Sequence, residues 1–150
     1  MTYIRPRSGI YAVVNGVEYL CNDYPQDDRV VLISREPDNP DPNLFTRDEP
    51  TQTWVANVHL DQCERLHDVT TRADYLGHRC QVVSIAPNGE VGLYFLGDDK
   101  SAARKDGFVQ IDPGTWAKTV NIYDLYTYYE HHADLLYERW WRKHHPVPAR

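Results

Sequence analysis

Apolar and polar residues alternate most regularly near the start of the chain, where Tyr11, Val13, Val17 and Tyr19 flank Asn15-Gly16. A period of two predicts a half-buried strand. Asn-Gly tolerates positive φ at both positions, so the segment reads as a hairpin closed by a two-residue turn. Further on, Gln81-Val82-Val83-Ser84-Ile85 runs through Ala86-Pro87-Asn88-Gly89 into Glu90-Val91-Gly92-Leu93-Tyr94, a second hairpin of the same kind. A third short strand follows each hairpin, Arg29-Val30-Val31-Leu32-Ile33 and Gly107-Phe108-Val109-Gln110-Ile111. Each half then reaches a related strand, Thr53-Trp54-Val55-Ala56-Asn57-Val58-His59-Leu60 and Thr115-Trp116-Ala117-Lys118-Thr119-Val120-Asn121-Ile122. The order strand, turn, strand, loop, strand, loop, Thr-Trp strand occurs twice, which predicts a duplicated β-module.

After each Thr-Trp strand the period changes. Leu60 to His67 reads as about two helical turns. The second copy predicts a helix from about Tyr123 to Lys143, with Leu125, Tyr129, Ala133, Leu136 and Trp140 on one side and Glu130, Asp134, Glu138 and Arg142 on the other. Pro146 and Pro148 stop it. Ala102 to Asp106 is polar and reads as loop. The halves divide as residues 1–68 and 69–150, the second carrying the helix. Each half alone is small for a stable core, so the two are expected to pack together.

The longest irregular stretch is Glu36 to Gln52. Pro37, Pro40, Pro42 and Pro50 deprive it of ladder donors, and Asp38, Asp41, Asp48 and Glu49 make it acidic. Its counterpart in the second half is read as Asp112-Pro113-Gly114 alone. Long loops of this kind often carry function. A tolerated surface insertion is the alternative.

Composition narrows the function classes. The net charge is −6, so a general attraction to nucleic-acid backbones is absent, whereas a basic partner is steered towards the chain. No apolar run approaches a membrane span and no secretory leader follows Met1, which leads us to expect a cytoplasmic protein. Cys21, Cys63 and Cys80 are odd in number and scattered, which argues for reduced thiols and against a disulfide framework or a zinc site.

No chemistry assembles from the motifs. The adjacent pairs His131-His132 and His144-His145 diverge by about 100° on a helix, and no His lies at i, i+4 from another. Cys63 and His67 have helical contact spacing, but Cys63 falls on the apolar side. Asp27-Asp28 and Asp98-Asp99 read as solvated turns. No nucleophile elbow or phosphate-binding glycine loop is present. We therefore expect no enzyme, no cofactor and no metal. Eleven tyrosines and four tryptophans exceed what two small cores need. Of these, Tyr126, Tyr137 and Trp141 fall beside the polar face of the expected helix, and Tyr, Trp and Arg are the residues of interface hot spots.

The order of short strands, with a turn of helix after the fourth, resembles the SH3-like barrel superfamily. That resemblance implies a mainly β fold of two SH3-like barrel repeats packed together, with a C-terminal α-helix. By size, charge and lack of catalytic motifs the chain also resembles small acidic bacterial immunity proteins, which neutralise a cognate toxin. The functional expectation is thus a non-catalytic binding protein whose partner is a toxin with a basic cleft. Asp38, Asp41, Asp48 and Glu49 would meet that cleft, Leu44 and Phe45 would anchor the loop, and Tyr126, Tyr137 and Trp141 would form a second surface. The alternative is a housekeeping adaptor that binds a protein or peptide; nucleic-acid binding is disfavoured by the charge.

Overall fold

The computed structural model describes residues 5–146, a mainly β chain with a C-terminal helix. Among the described residues there are eleven strands: β1 Ser8–Val14, β2 Val17–Cys21, β3 Arg29–Ser34, β4 Thr46–Asp48, β5 Thr53–His59, β6 Arg65–Tyr75, β7 His78–Ile85, β8 Glu90–Phe95, β9 Val109–Asp112, β10 Thr115–Asn121 and β11 Thr127–Asp134. Helix α1 is Lys100–Lys105 and α2 is Leu135–His144. Single 3-10 turns, Leu60–Gln62 and Ile122–Asp124, follow β5 and β10.

The chain divides into two compact units. The first is built from residues 9–68 and 132–146, the second from residues 5–8 and 69–131. Strands in the first follow the order β4-β5-β3-β2-β1, and those in the second β9-β10-β8-β7-β6. The two orders are the same, element for element. The two units thus share one strand order, in a register that differs from the expected one. The hairpin at Asn15-Gly16 matches the one at Leu76-Gly77, not the one at Asn88-Gly89.

Backbone geometry fixes this register. Asn15 and Gly16 have φ of 53° and 78°, and Leu76 and Gly77 have 49° and 80°. Asp28 and Gly89 both take positive φ, and the Asp28 carbonyl accepts from Leu60 N–H at 2.8 Å as the Gly89 carbonyl accepts from Ile122 N–H at 2.8 Å. Glu64 N–H donates to Val13 C=O at 2.8 Å, and Tyr126 N–H donates to Asp74 C=O at 2.8 Å. A polar side chain caps each 3-10 turn: His59 accepts from Asp61 N–H and Asn121 from Tyr123 N–H.

Each unit has its own core. Ile10, Ala12, Val14, Val30, Leu32, Ala56, Val58 and Leu66 are buried in the first, and Ala73, Cys80, Val82, Val91, Leu93, Phe108 and Val120 in the second. In β1 the core takes the phase of Ile10, Ala12 and Val14 and leaves Tyr11 and Val13 half-exposed. Trp54 and Trp116 hold equivalent positions, both partly buried against their cores.

Three expected elements differ. The stretch Tyr123–Lys143 is not one helix: a 3-10 turn, then β11, precede α2. Thr127 and the neighbouring Tyr126, Tyr128 and Tyr129 favour extended backbone, and Asp134 starts α2 by accepting from Tyr137 N–H at 2.9 Å. Leu60 to His67 makes one 3-10 turn, after which β6 begins at Arg65. Ala102 to Asp106 lies largely in α1, capped at its start by the Asp99 carboxylate on Ala102 N–H at 3.0 Å and ended by Gly107 at φ 92°.

Candidate protein-binding surfaces

Helix α2 belongs to the first unit and divides cleanly by face. Leu135 and Leu136 pack on that unit's core. Arg139 pairs with Asp28, and the Arg142 guanidinium lies 3.7 Å from Glu138. Leu135, Glu138, Arg139 and Arg142 line, with Tyr24, Pro25 and Leu60, a cleft of about 270 Å³. The Tyr24 hydroxyl donates to Asp68, and this bond is the main reason its pKa is raised.

The outward face of α2 is aromatic. Tyr137, Trp140 and Trp141 are 58%, 51% and 46% exposed, high values for side chains of this size. Their rings order one another: Tyr137 stacks on Trp140 at 5.9 Å between centroids, Trp140 on His144 at 4.5 Å and Trp141 on His145 at 4.4 Å. His144 and His145 are held in turn by the carbonyls of Trp140 and Trp141, at 2.8 and 3.0 Å. Stacked, pre-ordered rings lose little freedom on binding, which is what an interface anchor requires. Trp140, expected on the apolar side of the helix, is part of this face. Tyr126 is 88% exposed but sits before β11 in the second unit, not on the helix with Tyr137 and Trp141.

The acidic stretch Glu36–Gln52 is not an irregular loop. It contains β4, which pairs with β5 through Thr46–Val55, Arg47–Trp54 and Asp48–Thr53. Phe45 is 2% exposed and packs on Tyr19 at 4.9 Å between ring centroids, so it belongs to the core and is no surface anchor. Leu44 packs beside it. Asp41 folds the segment locally. Its carbonyl accepts from Leu44 and Phe45 N–H, and its carboxylate accepts from Asn43 N–H at 3.1 Å. Asp48 accepts from the Thr51 hydroxyl. Asp38 and Glu49 remain exposed on the surface.

The second unit carries a polar cluster with no counterpart in the first. Tyr75, His78 and Lys118 stand where the first repeat has Val14, Val17 and Ala56. The Lys118 ammonium donates to the Tyr75 hydroxyl at 2.9 Å and to the Asp106 carbonyl at 2.7 Å, and lies 4.8 Å from the Tyr75 ring centre. His78 Nε2 is 2.6 Å from Asp106 Oδ2, and its ring meets Phe95 and Phe108 edge-on. Sequence spacing does not reveal this cluster, because the Asn15-Gly16 and Asn88-Gly89 turn signals align the halves out of register. The correct alignment would have exposed it as three apolar-to-polar differences.

A family model matches residues 6–134 and is described as "Uncharacterised conserved protein UCP033725". The chain belongs to that family. The match spans both repeats and ends at Asp134, the residue that caps α2. No curated protein and no solved structure matches the chain.

Among the described residues no three His, Cys, Asp or Glu side chains converge on one point. His67 and His132 approach each other, with Nδ1 atoms 3.0 Å apart, but as a pair. All three cysteines are buried, and burial pushes the Cys21 thiol up to about 12 and the Cys80 thiol up to about 11. Cys63 is raised by the same cause. No helix of the described residues is long and apolar enough to cross a membrane.

Proposed function

We propose that this is a non-catalytic protein-binding protein of the immunity type, which inhibits a cognate bacterial toxin by covering its active-site cleft. The observation that carries this reading is the outward face of α2, where three large aromatic side chains are exposed, stacked and unused by the core. Surface aromatics next to Arg are the composition of interface hot spots. The net charge of −6 supports a basic partner, since nucleases and nucleotide-consuming enzymes line their clefts with cations. Asp38 and Glu49 supply exposed negative charge on the first unit. Buried thiols with raised pKa values support the absence of a cysteine nucleophile.

We further infer that each repeat is an SH3-like barrel. Four main strands lie in the order β1-β2-β3-β5 in the first, a 3-10 turn follows β5, and the chain then returns beside β1 through the Glu64–Val13 hydrogen bond. The second repeat runs the same course through β6, β7, β8 and β10 to the Tyr126–Asp74 bond.

The test is co-expression with a toxin encoded beside this protein's gene. Wild-type protein restores growth, and the double variant Trp140→Ala/Trp141→Ala does not, at equal soluble expression. Failure of the wild-type protein to protect against any neighbouring toxin would remove the inhibitory part of the proposal. A peptide-binding adaptor is the second reading, favoured by the bare sheet edge at β9.

A further inference from the structure

We propose that the free edge of β9, with the groove beside it, takes the C-terminal end of an extended peptide from a partner protein, adding it antiparallel to β9 and receiving its terminal carboxylate at Lys118. The inference deepens the protein-binding reading and does not depend on the aromatic face of α2.

The edge itself is the first argument. β9 stands last in the strand order of the second unit, and all four of its residues are exposed. Val109 and Ile111 are 64% and 54% exposed, and Ile111 sits at an irregularity where Asp112 pairs with Thr115 and Gln110 with Trp116. Sheet edges are ordinarily blunted by charge, brevity or cover. The first repeat does this at β4: the strand has three residues, Arg47 lies over the Trp54 ring at 5.0 Å and bonds Gln52, and Asp48 bonds Thr51. β9 is also short and its register with β10 is irregular, but among the described residues no side chain folds over it as Arg47 does over Trp54. An unpaired row of backbone groups with exposed apolar side chains beside it is what strand addition uses.

The groove gives the added strand a place for side chains. It measures about 530 Å³ and is lined by Val83, Gly92, Tyr94, Val109, Ala117 and Thr119 among others. Its floor is low because Gly92 and Ala117 stand where the first repeat has Val31 and Val55. A Cβ at Gly92 would lie 2.5 Å from Ser84 Oγ and 3.3 Å from Val83, so a larger residue there would crowd its neighbours on β7.

Charge decides which peptide fits. Lys118 also borders the groove. Its ammonium bonds two neutral acceptors, and among the described residues it has no carboxylate partner. It lies at the start of β9: a Cβ on Gly107 would come within 2.9 Å of its nitrogen, so the exposed glycine leaves that approach uncovered. A strand antiparallel to β9 ends at this point, with its terminal carboxylate beside the ammonium. The opposite end passes Asp112, where an upstream Lys or Arg of the peptide finds its counter-charge.

A fluorescence-anisotropy titration tests this with the labelled peptide Lys-Val-Thr-Val-Val, as free acid and as C-terminal amide. The free acid binds saturably, and the amide binds about tenfold or more weakly, the loss of a charge-assisted hydrogen bond. Lys118→Met reduces the free acid to the level of the amide, Lys118→Arg retains the preference, and Ile111→Lys weakens both peptides. Trp140→Ala/Trp141→Ala leaves them unchanged, which separates this site from the α2 face. Equal binding of acid and amide by the unaltered protein, or no saturable binding, overturns the proposal. So does self-association abolished by Ile111→Lys without peptide binding, since a second copy would then be the occupant.

Discussion

Trp54 and Trp116 occupy the same place in the two repeats, but among the described residues only one of their two indole N–H groups finds an acceptor. Trp54 Nε1 donates to the Glu36 carbonyl at 3.1 Å, whereas Trp116 Nε1 is buried without an acceptor. A neutral hydrogen bond contributes about 1 kcal/mol net, and a buried unpaired donor costs about 1–3 kcal/mol. Trp54→Phe should therefore destabilise the protein more than Trp116→Phe, which removes the unpaired N–H along with part of the ring. Urea denaturation of both variants measures the difference, and the reverse order would contradict the assignment.

Leu76 adopts φ 49° in the turn where the first repeat has Asn15, and its side chain is 62% exposed. A left-handed conformation costs a branched apolar residue about 1 kcal/mol, and little is buried in return. Leu76→Asn is expected to raise stability by about 1 kcal/mol, read as a higher urea midpoint at unchanged slope.

Phe45 tests the corrected view of the acidic stretch. Its burial against Tyr19 makes Phe45→Ala a core truncation, costing about 3–5 kcal/mol of stability. Replacing residues 36–52 by a short turn should unfold the first unit, because β4 and Phe45 go with it. A cooperative melt at the wild-type temperature after either change would return the segment to the status of a dispensable loop.

The buried thiols set an alkaline limit. Unfolded cysteine ionises from its ordinary value of 9.0, while folded Cys80 and Cys21 hold their protons to about 11 and about 12. Below pH 9 both states are neutral at these positions and stability does not depend on them. Between about 9 and 12 the unfolded state binds fewer protons, so stability falls as pH rises. Cys21→Ala and Cys80→Ala should each flatten that fall in a pH series of urea melts. At pH 8 all three thiols should react slowly with a thiol reagent until the protein is unfolded.

Much of the architecture was legible in the residues. Thr53-Trp54 and Thr115-Trp116 mark the duplication because each strand is followed by the same capped 3-10 turn. The register was not legible, for a local reason: Leu76-Gly77 carries no turn signal beside Asn88-Gly89, so the hairpins were matched one strand out of step. That slip also hid the partnership of Lys118 with Tyr75 and Asp106. The C-terminal segment misled because Leu125, Tyr129 and Leu136 keep helical spacing, yet hydrogen bonds between Asp74 and Tyr126 and Thr127 hold its first half extended. Tyr137 and Trp141 were identified as surface aromatics from spacing alone. Trp140 falls on the apolar side by its spacing from Leu136, yet it is as exposed as Trp141.

The most direct test of the binding account is calorimetric titration of a neighbour-encoded, catalytically disabled toxin with this protein and with Trp141→Ala. The account predicts a saturable complex and a loss of affinity of about thirtyfold in the variant, equivalent to about 2 kcal/mol from a desolvated aromatic anchor. Equal affinity of the variant and the wild-type protein, with both correctly folded, would contradict it.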